Sequence, residues 1–348
     1  MSPGRARGHA DPVSVSGQSG RFVARAPLPA LTPERAAGAA RAAGALWGPL
    51  AGLLRPEVTD LFLNGDGTVW VDRGGGARPE PGLRIPPDEA LALAMRLVAA
   101  GDRHVDAATP CADVRLGAGL RVHAVLPPVS GGGALLSIRQ ARAEPWTLAG
   151  LEAAGMFERV PSAPLRALVA RRANLLVTGS AGSGKTSLLA ALLGEAPGQE
   201  RILLLEDVAE LRLAHPHVVA LEARQANLDG AGAIGLDRLL REALRMRPDR
   251  LVVGEVRGPE LRELLVALNT GHDGGAGTLH ANSLADVPAR LEALGALAGW
   301  DAGALARQAV SAIDAVIHVA RDSDGVRRVA ATGVLRLDGD RLAIGEGR

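Results

Sequence analysis

The sequence predicts an α/β fold: a mostly parallel sheet built around a glycine-rich loop, with a smaller α+β N-terminal domain ahead of it. Three observations carry that expectation. Residues Gly179 to Thr186 read GSAGSGKT and match G-x-x-x-x-G-K-[ST] at every position. The loop sits between Asn174 to Thr178, an apolar run of strand length, and Leu188, Leu189, Leu192 and Leu193, which fall on one face of a helix. Downstream, short apolar runs alternate with helical stripes, as a parallel sheet requires.

Taken in order, residues 1–32 are Ser, Gly, Pro, Arg and Ala without periodicity and read as a disordered arm. Residues 33–55 form an Ala-rich helical lead-in with Leu46, Trp47, Leu50, Leu53 and Leu54 at its apolar end. Residues 56–140 form the N-terminal α+β domain. In it, Val58 to Leu63 and Thr68 to Val71 flank the turn Asn64-Gly65-Asp66-Gly67 and predict a hairpin. A helix is expected over Pro87 to Ala100 with Leu91, Met95 and Val98 on one side, then strands at Asp113 to Leu116, Leu120 to Leu126 and Ala134 to Arg139. Residues 141–150, with Pro145, are the expected linker and hinge.

Residues 151–348 form the main domain. Strands are expected at Leu175 to Thr178, Ile202 to Leu205, Val218 to Leu221, Leu251 to Val253 and Gly277 to Leu279. Leu236, Leu239, Leu240, Ala243 and Leu244 make one helical stripe, and Leu261, Leu264, Leu265 and Leu268 another. Ala315 to Ala320, Arg328 to Leu337 and Arg341 to Ile344 suggest antiparallel strands closing the sheet.

Composition narrows the function. At 348 residues the chain can hold two domains, and a net charge of +1 provides no whole-chain basic field for nucleic acid. The single Cys111 excludes an internal disulfide and a C-x-x-C zinc site, which suits a reducing cytosol. No apolar run reaches the roughly 18 residues of a membrane span. The N-terminus is charged but has no apolar core behind it, so no secretory signal is expected.

The loop residues Gly179, Ser180, Ala181, Gly182, Ser183, Gly184, Lys185, Thr186 and Ser187 point to phosphate chemistry. Backbone N–H groups converge on an anion at a helix N-terminus, Lys185 reaches the β- and γ-phosphates, and the Thr186 hydroxyl holds Mg2+. Lys185 is the only lysine in a chain whose other basic side chains of that length are all arginine. Acids should stand at neighbouring strand ends. Ile202 to Glu206-Asp207, with Glu210 one turn on, and Arg250 to Glu255 satisfy that need. His272 and His280 lie in a glycine-rich stretch. They are too far apart in sequence to suggest a metal site by themselves, and fit a γ-phosphate sensor or a subunit contact better.

These segments, in order, resemble four boxes of one family. The loop is similar to Walker A, Leu205-Glu206-Asp207-Val208-Ala209-Glu210-Leu211 to the Asp box, Arg247 through Gly258 to Walker B, and Asn269 to Ser283 to the His box of type II/type IV secretion ATPases. Within that superfamily the chain most resembles the CpaF/TadA-like tight-adherence (Flp) pilus assembly ATPases. Asp60 to Gly65, Val69 to Val71, Gly119 to Pro128 and Leu136 to Arg139 extend the likeness into the first domain.

The resemblance implies a RecA-like P-loop NTPase core with a mobile N-terminal domain, assembled as a homo-hexamer that hydrolyses ATP with Mg2+. It implies a motor for pilus assembly or secretion, cytoplasmic and peripheral at the inner membrane through platform proteins. Glu206 would activate water and Glu255 support Mg2+, or the two roles exchange; Asp207 joins Thr186 and Glu255 as a metal-site candidate. His272 and His280 would couple the γ-phosphate to the neighbouring subunit. Arg121 and Arg139 would stabilise transition-state charge, with Arg115 a weaker third. The tetracysteine zinc module of many type II relatives is absent, and with so short an arm a further N-terminal regulatory domain is not expected. A conjugation-type DNA-transfer ATPase and a nucleotide switch without turnover are the competing readings. Near-neutral charge and scarce aromatics argue against the first, and retention of both acids against the second.

Overall fold

The turn Asn64-Gly65-Asp66-Gly67 joins the first two strands of the first sheet in the computed structural model, which describes residues 44–117, 119–140, 145–224 and 232–346. Strands β1 (Asp60–Leu63) and β2 (Thr68–Asp72) pair antiparallel across it, and Asp66 Oδ1 accepts from the Thr68 N–H at 3.0 Å. With β3 (Arg78–Arg84), β4 (Cys111–Leu116), β5 (Leu120–Val125) and β6 (Leu135–Gln140) they form a six-stranded sheet of order β3-β2-β1-β6-β5-β4. Strand β3 has no counterpart among the expectations. It contains Pro79 and Pro81, which remove ladder donors, and the structure accommodates them by placing β3 at the edge.

Alternate residues of this sheet face a core closed by helix α1 (Pro87–Ala100). The helix occupies the expected residues but turns a different face inward. Ala90, Leu93, Ala94, Leu97 and Val98 are buried, whereas Leu91 and Met95 are 37% and 44% exposed. Two alanines at core positions defeat a stripe read from large apolar residues alone. The lead-in also differs: after a helical turn at residues 44–47, Gly48–Leu53 is a 3-10 helix, because Gly48 turns left-handed (φ +51°) ahead of Pro49. Trp47 and Leu50 pack into the same core, as their apolar character suggests. The expected arm at 1–32 and residues 33–43 of the lead-in lie outside the described residues.

Of the expected linker, residues 141–144 lie outside the described residues, and its end is helical. Thr147 caps helix α2 (Leu148–Ala153) by accepting from the Gly150 N–H at 3.1 Å. Helix α3 (Ser162–Ala170) then leads to strand β7 (Leu175–Gly179), the loop, and helix α4 (Lys185–Leu193). Next come β8 (Ile202–Glu206), β9 (Val218–Glu222), helix α5 (Leu236–Ala243), β10 (Arg250–Val253), helix α6 (Glu260–Leu268), β11 (Ala276–His280), and helices α7 (Val287–Leu297) and α8 (Ala302–Ala312). Strands β12 (Ala315–Arg321), β13 (Arg327–Asp338) and β14 (Arg341–Glu346) finish the chain.

The second sheet has the order β14-β13-β12-β7-β11-β10-β8-β9. Its strands from β12 to β9 run parallel; only β13 and β14 are antiparallel, so β12 belongs to the parallel part rather than to an antiparallel closure. Central strands are apolar throughout because both faces are covered. The two-residue period sorts them: Leu176, Leu203, Leu205, Leu251 and Val253 pack under α5 to α8. Leu175, Val177, Ile202, Leu204 and Val252 pack under α2 to α4.

Candidate active site

Strand β7 delivers the phosphate loop to the C-terminal edge of the parallel sheet. Gly179, at φ +151°, has no room for a side chain: a Cβ there would press on the Val319 carbonyl and stand 2.6 Å from Ser183 Oγ. Lys185, 6% exposed, donates from Nζ to the Ser180 carbonyl at 2.9 Å, and the Ser183 N–H approaches the same oxygen at 3.3 Å. Two anion-seeking donors thus converge on one acceptor at a helix N-terminus. Burial lowers the Lys185 pKa, and Glu255 works against that shift.

Parallel register aligns the acids beside the loop. Glu206 ends β8, Gly254-Glu255 follows β10, and His280 ends β11 opposite Gly179. Glu206 is 4% exposed; its Oε1 accepts from the N–H groups of Glu210 and Leu211 at 2.9 and 2.8 Å. Its buried Oε2 has no hydrogen-bond partner among the described residues. Burial raises the Glu206 pKa to about 7, against the pull of those two N–H groups. The carboxyl is therefore poised as a proton acceptor near neutral pH.

Glu255 is the more engaged acid. Arg257 Nη2 donates to its Oε2 at 2.5 Å, and His280 Nε2 lies 2.8 Å from Oε1, close but not aligned as a hydrogen bond. Burial raises its pKa, but Arg257, His280 and Lys185 together hold it below the usual carboxylate value. His280 Nδ1 is 3.3 Å from Lys185 Nζ. Burial and then Lys185 lower the His280 pKa, which suits a neutral ring accepting from Lys185 and presenting its other nitrogen to Glu255. His280 thereby joins the phosphate loop to the β10 acid.

The first sheet contributes a row of arginines. Arg115, Arg121 and Arg139 are successive cross-strand neighbours on β4, β5 and β6. Like charges placed opposite one another are unfavourable without anions to face. The anions come from the loop after β8 and from the end of β9: Glu210 Oε1 lies 3.6 Å from Arg121 and 3.8 Å from Arg139, and Glu222 lies 3.3 Å from Arg115. The resulting cleft, about 40 Å3, is lined by Arg121, Thr186, Glu206, Asp207, Val208, Glu210, Gly254, Glu255 and Arg257.

The structure therefore brings together Arg121, Lys185, Thr186, Glu206, Asp207, Glu255 and His280, with Arg139 at the cleft's edge. It separates His272. That residue precedes β11 at the N-terminal edge of the sheet, with Nδ1 3.3 Å from the Ala267 carbonyl, while β11 carries the chain across to His280. A strand rises about 3.3 Å per residue, so within one chain His272 and His280 face opposite edges. Within its own subunit His272 therefore stands away from the phosphate loop.

Arg257 takes part although spacing alone gave it no role, and Glu210, expected among the β8 acids, faces the arginine row instead. Arg327 of β13 is a further addition: its Nε donates to the Gly182 carbonyl at 2.9 Å. No sequence signal near the loop marks a residue so distant along the chain.

The residues present fit a nucleotide with Mg2+: the converging Lys185 and Ser183 donors suit phosphate, and the buried, unpartnered oxygens of Ser183 and Glu206 await polar partners.

The family described as type II/IV secretion system protein matches residues 46–332. A putative conjugal transfer protein of Mycobacterium tuberculosis is 48% identical over 82% of this chain and 84% of the relative. The conjugal transfer protein TrbB of Rhizobium radiobacter is 30% identical over 82% and 85%. The type IV secretion system protein PtlH of Bordetella pertussis is 36% identical over 66% and 75%. Among solved structures, the Legionella pneumophila ATPase DotB aligns with TM-score 0.54 at 18% identity, covering 85% of this chain and 78% of that one. The pilus retraction motor PilT with bound ADP aligns at 0.56 and 20%, covering 84% and 80%. At such identities these two share the fold.

Proposed function

The chain belongs to the type II/IV secretion system protein family and is an ATPase, and on that premise we propose a ring motor of the CpaF/TadA-like (Flp) pilus branch. In this reading six copies close a ring whose two-domain subunits, joined near residues 141–150, rock as nucleotide enters and leaves. One observation carries it: the arginine row of the first sheet faces the acids and the phosphate loop of the second across one cleft.

Arg121 and Arg139 face Glu210 across this cleft. In this reading nucleotide entry parts the sheets and breaks those pairs. Those arginines are then free to meet the γ-phosphate as the domains close again. Glu206, raised toward neutral pH and supported by two N–H groups, takes the proton of the attacking water. Lys185 and the Ser183 N–H exchange the Ser180 carbonyl for phosphate oxygen. Thr186, with Asp207 and Glu255, would hold Mg2+, which would supply charge neutralisation. His280 reports the state of the loop to Glu255. Among the described residues no helix is long and apolar enough to cross a membrane, so force would reach the membrane through platform proteins at the inner face.

ATP turnover followed against protein concentration, with molar mass by light scattering, tests the ring. Turnover should rise with hexamer formation and vanish in Glu206→Gln; equal turnover by monomers would overturn subunit coupling. A second reading, DNA transfer, is favoured by the relatives named as conjugal transfer proteins. Salt-sensitive DNA binding that stimulates ATPase activity would select it over pilus assembly.

A further inference from the structure

We infer that Arg327 is a positioning residue for the phosphate loop, holding the Gly182–Ser183 peptide with its N–H turned into the phosphate cradle. The inference rests on the nucleotide-site reading above and assigns a residue that none of the loop motifs contains. Arg327 begins β13, and its Nε donates to the Gly182 carbonyl at 2.9 Å. Its stem follows the loop: Cδ lies 3.2 Å from where a Cβ on Gly184 would stand. Among the described residues its guanidinium makes no ion pair, so its directed contact is with the loop backbone.

A trans peptide is planar, and its C=O and N–H point in opposite directions. With the Gly182 carbonyl drawn outward to Arg327, the Ser183 N–H must face the other way. It does, approaching the Ser180 oxygen that Lys185 also contacts. The peptide needs such an anchor because the loop is glycine-rich on both sides, with Gly182 at φ +70° and Gly184 at φ +101°. Glycine crosses between backbone regions at little cost. A flipped peptide would present a carbonyl oxygen to the phosphates in place of a donor.

Arg327 can anchor the loop only if it is itself held. The β12–β13 turn is closed by Asp322 N–H to the Val326 carbonyl at 2.9 Å and by Arg321 Nε to the Gly325 carbonyl at 2.9 Å. Arg328, pointing the other way, bonds Glu158 at 2.7 Å and Asp322 at 2.8 Å, and Arg159 adds a second bond to Asp322 at 2.8 Å. The Val329 N–H donates to the Met156 carbonyl at 2.9 Å. The turn is thus fastened to residues 156–159, and Arg327 is presented from a rigid support. At the loop's root the same strand pair acts again: buried His318 of β12 bonds Thr178 Oγ1 at 3.0 Å.

The test compares Arg327→Ala and Arg327→Lys with the parent, by fluorescent-ADP titration, steady-state ATP turnover and thermal melting on the full chain. Loss of one charged hydrogen bond that orients a phosphate donor should raise the ADP Kd and the ATP KM about tenfold. Maximal turnover should stay within about twofold, and melting should be unchanged because the side chain is exposed. Arg327→Lys, whose ammonium can still donate to the carbonyl, should recover most of the affinity. Parental affinity in Arg327→Ala, a loss of maximal turnover without a loss of affinity, or a lysine variant no better than alanine would each overturn the inference. Lys185→Ala is measured alongside. If it too binds ADP like the parent, the nucleotide-site reading itself fails, which is a separate outcome.

Discussion

Gly254 and Glu206 occupy one space: a Cβ on Gly254 would stand 2.6 Å from Glu206 Cγ. The glycine between the β10 strand and Glu255 is therefore the room in which the neighbouring acid sits. Parallel pairing of Val253 with Leu205 sets that distance. A methyl group must displace either the Glu206 side chain or the β10 end. Gly254→Ala should lower ATP turnover at least tenfold and destabilise the fold by about 1–3 kcal/mol, the usual range for overpacking. Turnover and thermal melting read both effects.

Glu206 also predicts a pH dependence. Its folded pKa, about 7, stands above the ordinary 4.5. Below the lower value both folded and unfolded chains hold the proton; as pH rises through about 7 the unfolded chain gains by ionising, and this group's contribution to stability is lost. Glu206→Gln should therefore become more stable than the parent as pH rises from 4.5 to 7, by about 1–3 kcal/mol at the plateau. In the parent, kcat/KM should climb with an apparent pKa near 7. Denaturant titrations and rate profiles from pH 5 to 9 would check the two effects separately.

Glu210 holds Arg121 and Arg139 at 3.6 and 3.8 Å. If that carboxylate stands where the phosphates compete for the arginines, Glu210→Gln should lower the ATP KM several-fold. Its backbone N–H to Glu206 is retained, so turnover at saturation should persist. An unchanged KM would remove the competition.

The two histidines should separate. His280→Ala breaks contacts with both Lys185 and Glu255 and should reduce turnover by roughly ten- to a hundredfold. His272→Ala, at the opposite sheet edge, should leave nucleotide affinity at the parental value, as ADP titration would show.

What was legible in the sequence was local. The phosphate loop, the acids at strand ends and the parallel core are each specified by a few consecutive residues, and Gly179 to Thr186, Glu206 and Glu255 stand where their motifs require. Features set by pairing were not. Arg115, Arg121 and Arg139 form a row only because β4, β5 and β6 pair in that register. Strand β3 was hidden by prolines that an edge tolerates. The inward face of α1 was hidden because Ala90 and Ala94, not Leu91 and Met95, meet the sheet. His272 looked equivalent to His280 until β11 put the width of the sheet between them.

The most direct measurement is ATP hydrolysis under single-turnover conditions in the Arg121→Ala/Arg139→Ala double variant, with ADP affinity measured in parallel. If the arginine row stabilises developing phosphate charge, hydrolysis should fall by at least about a hundredfold while ADP binds within a few-fold of the parent. Hydrolysis at the parental rate would contradict the two-sheet active site and leave the phosphate loop working without the first domain.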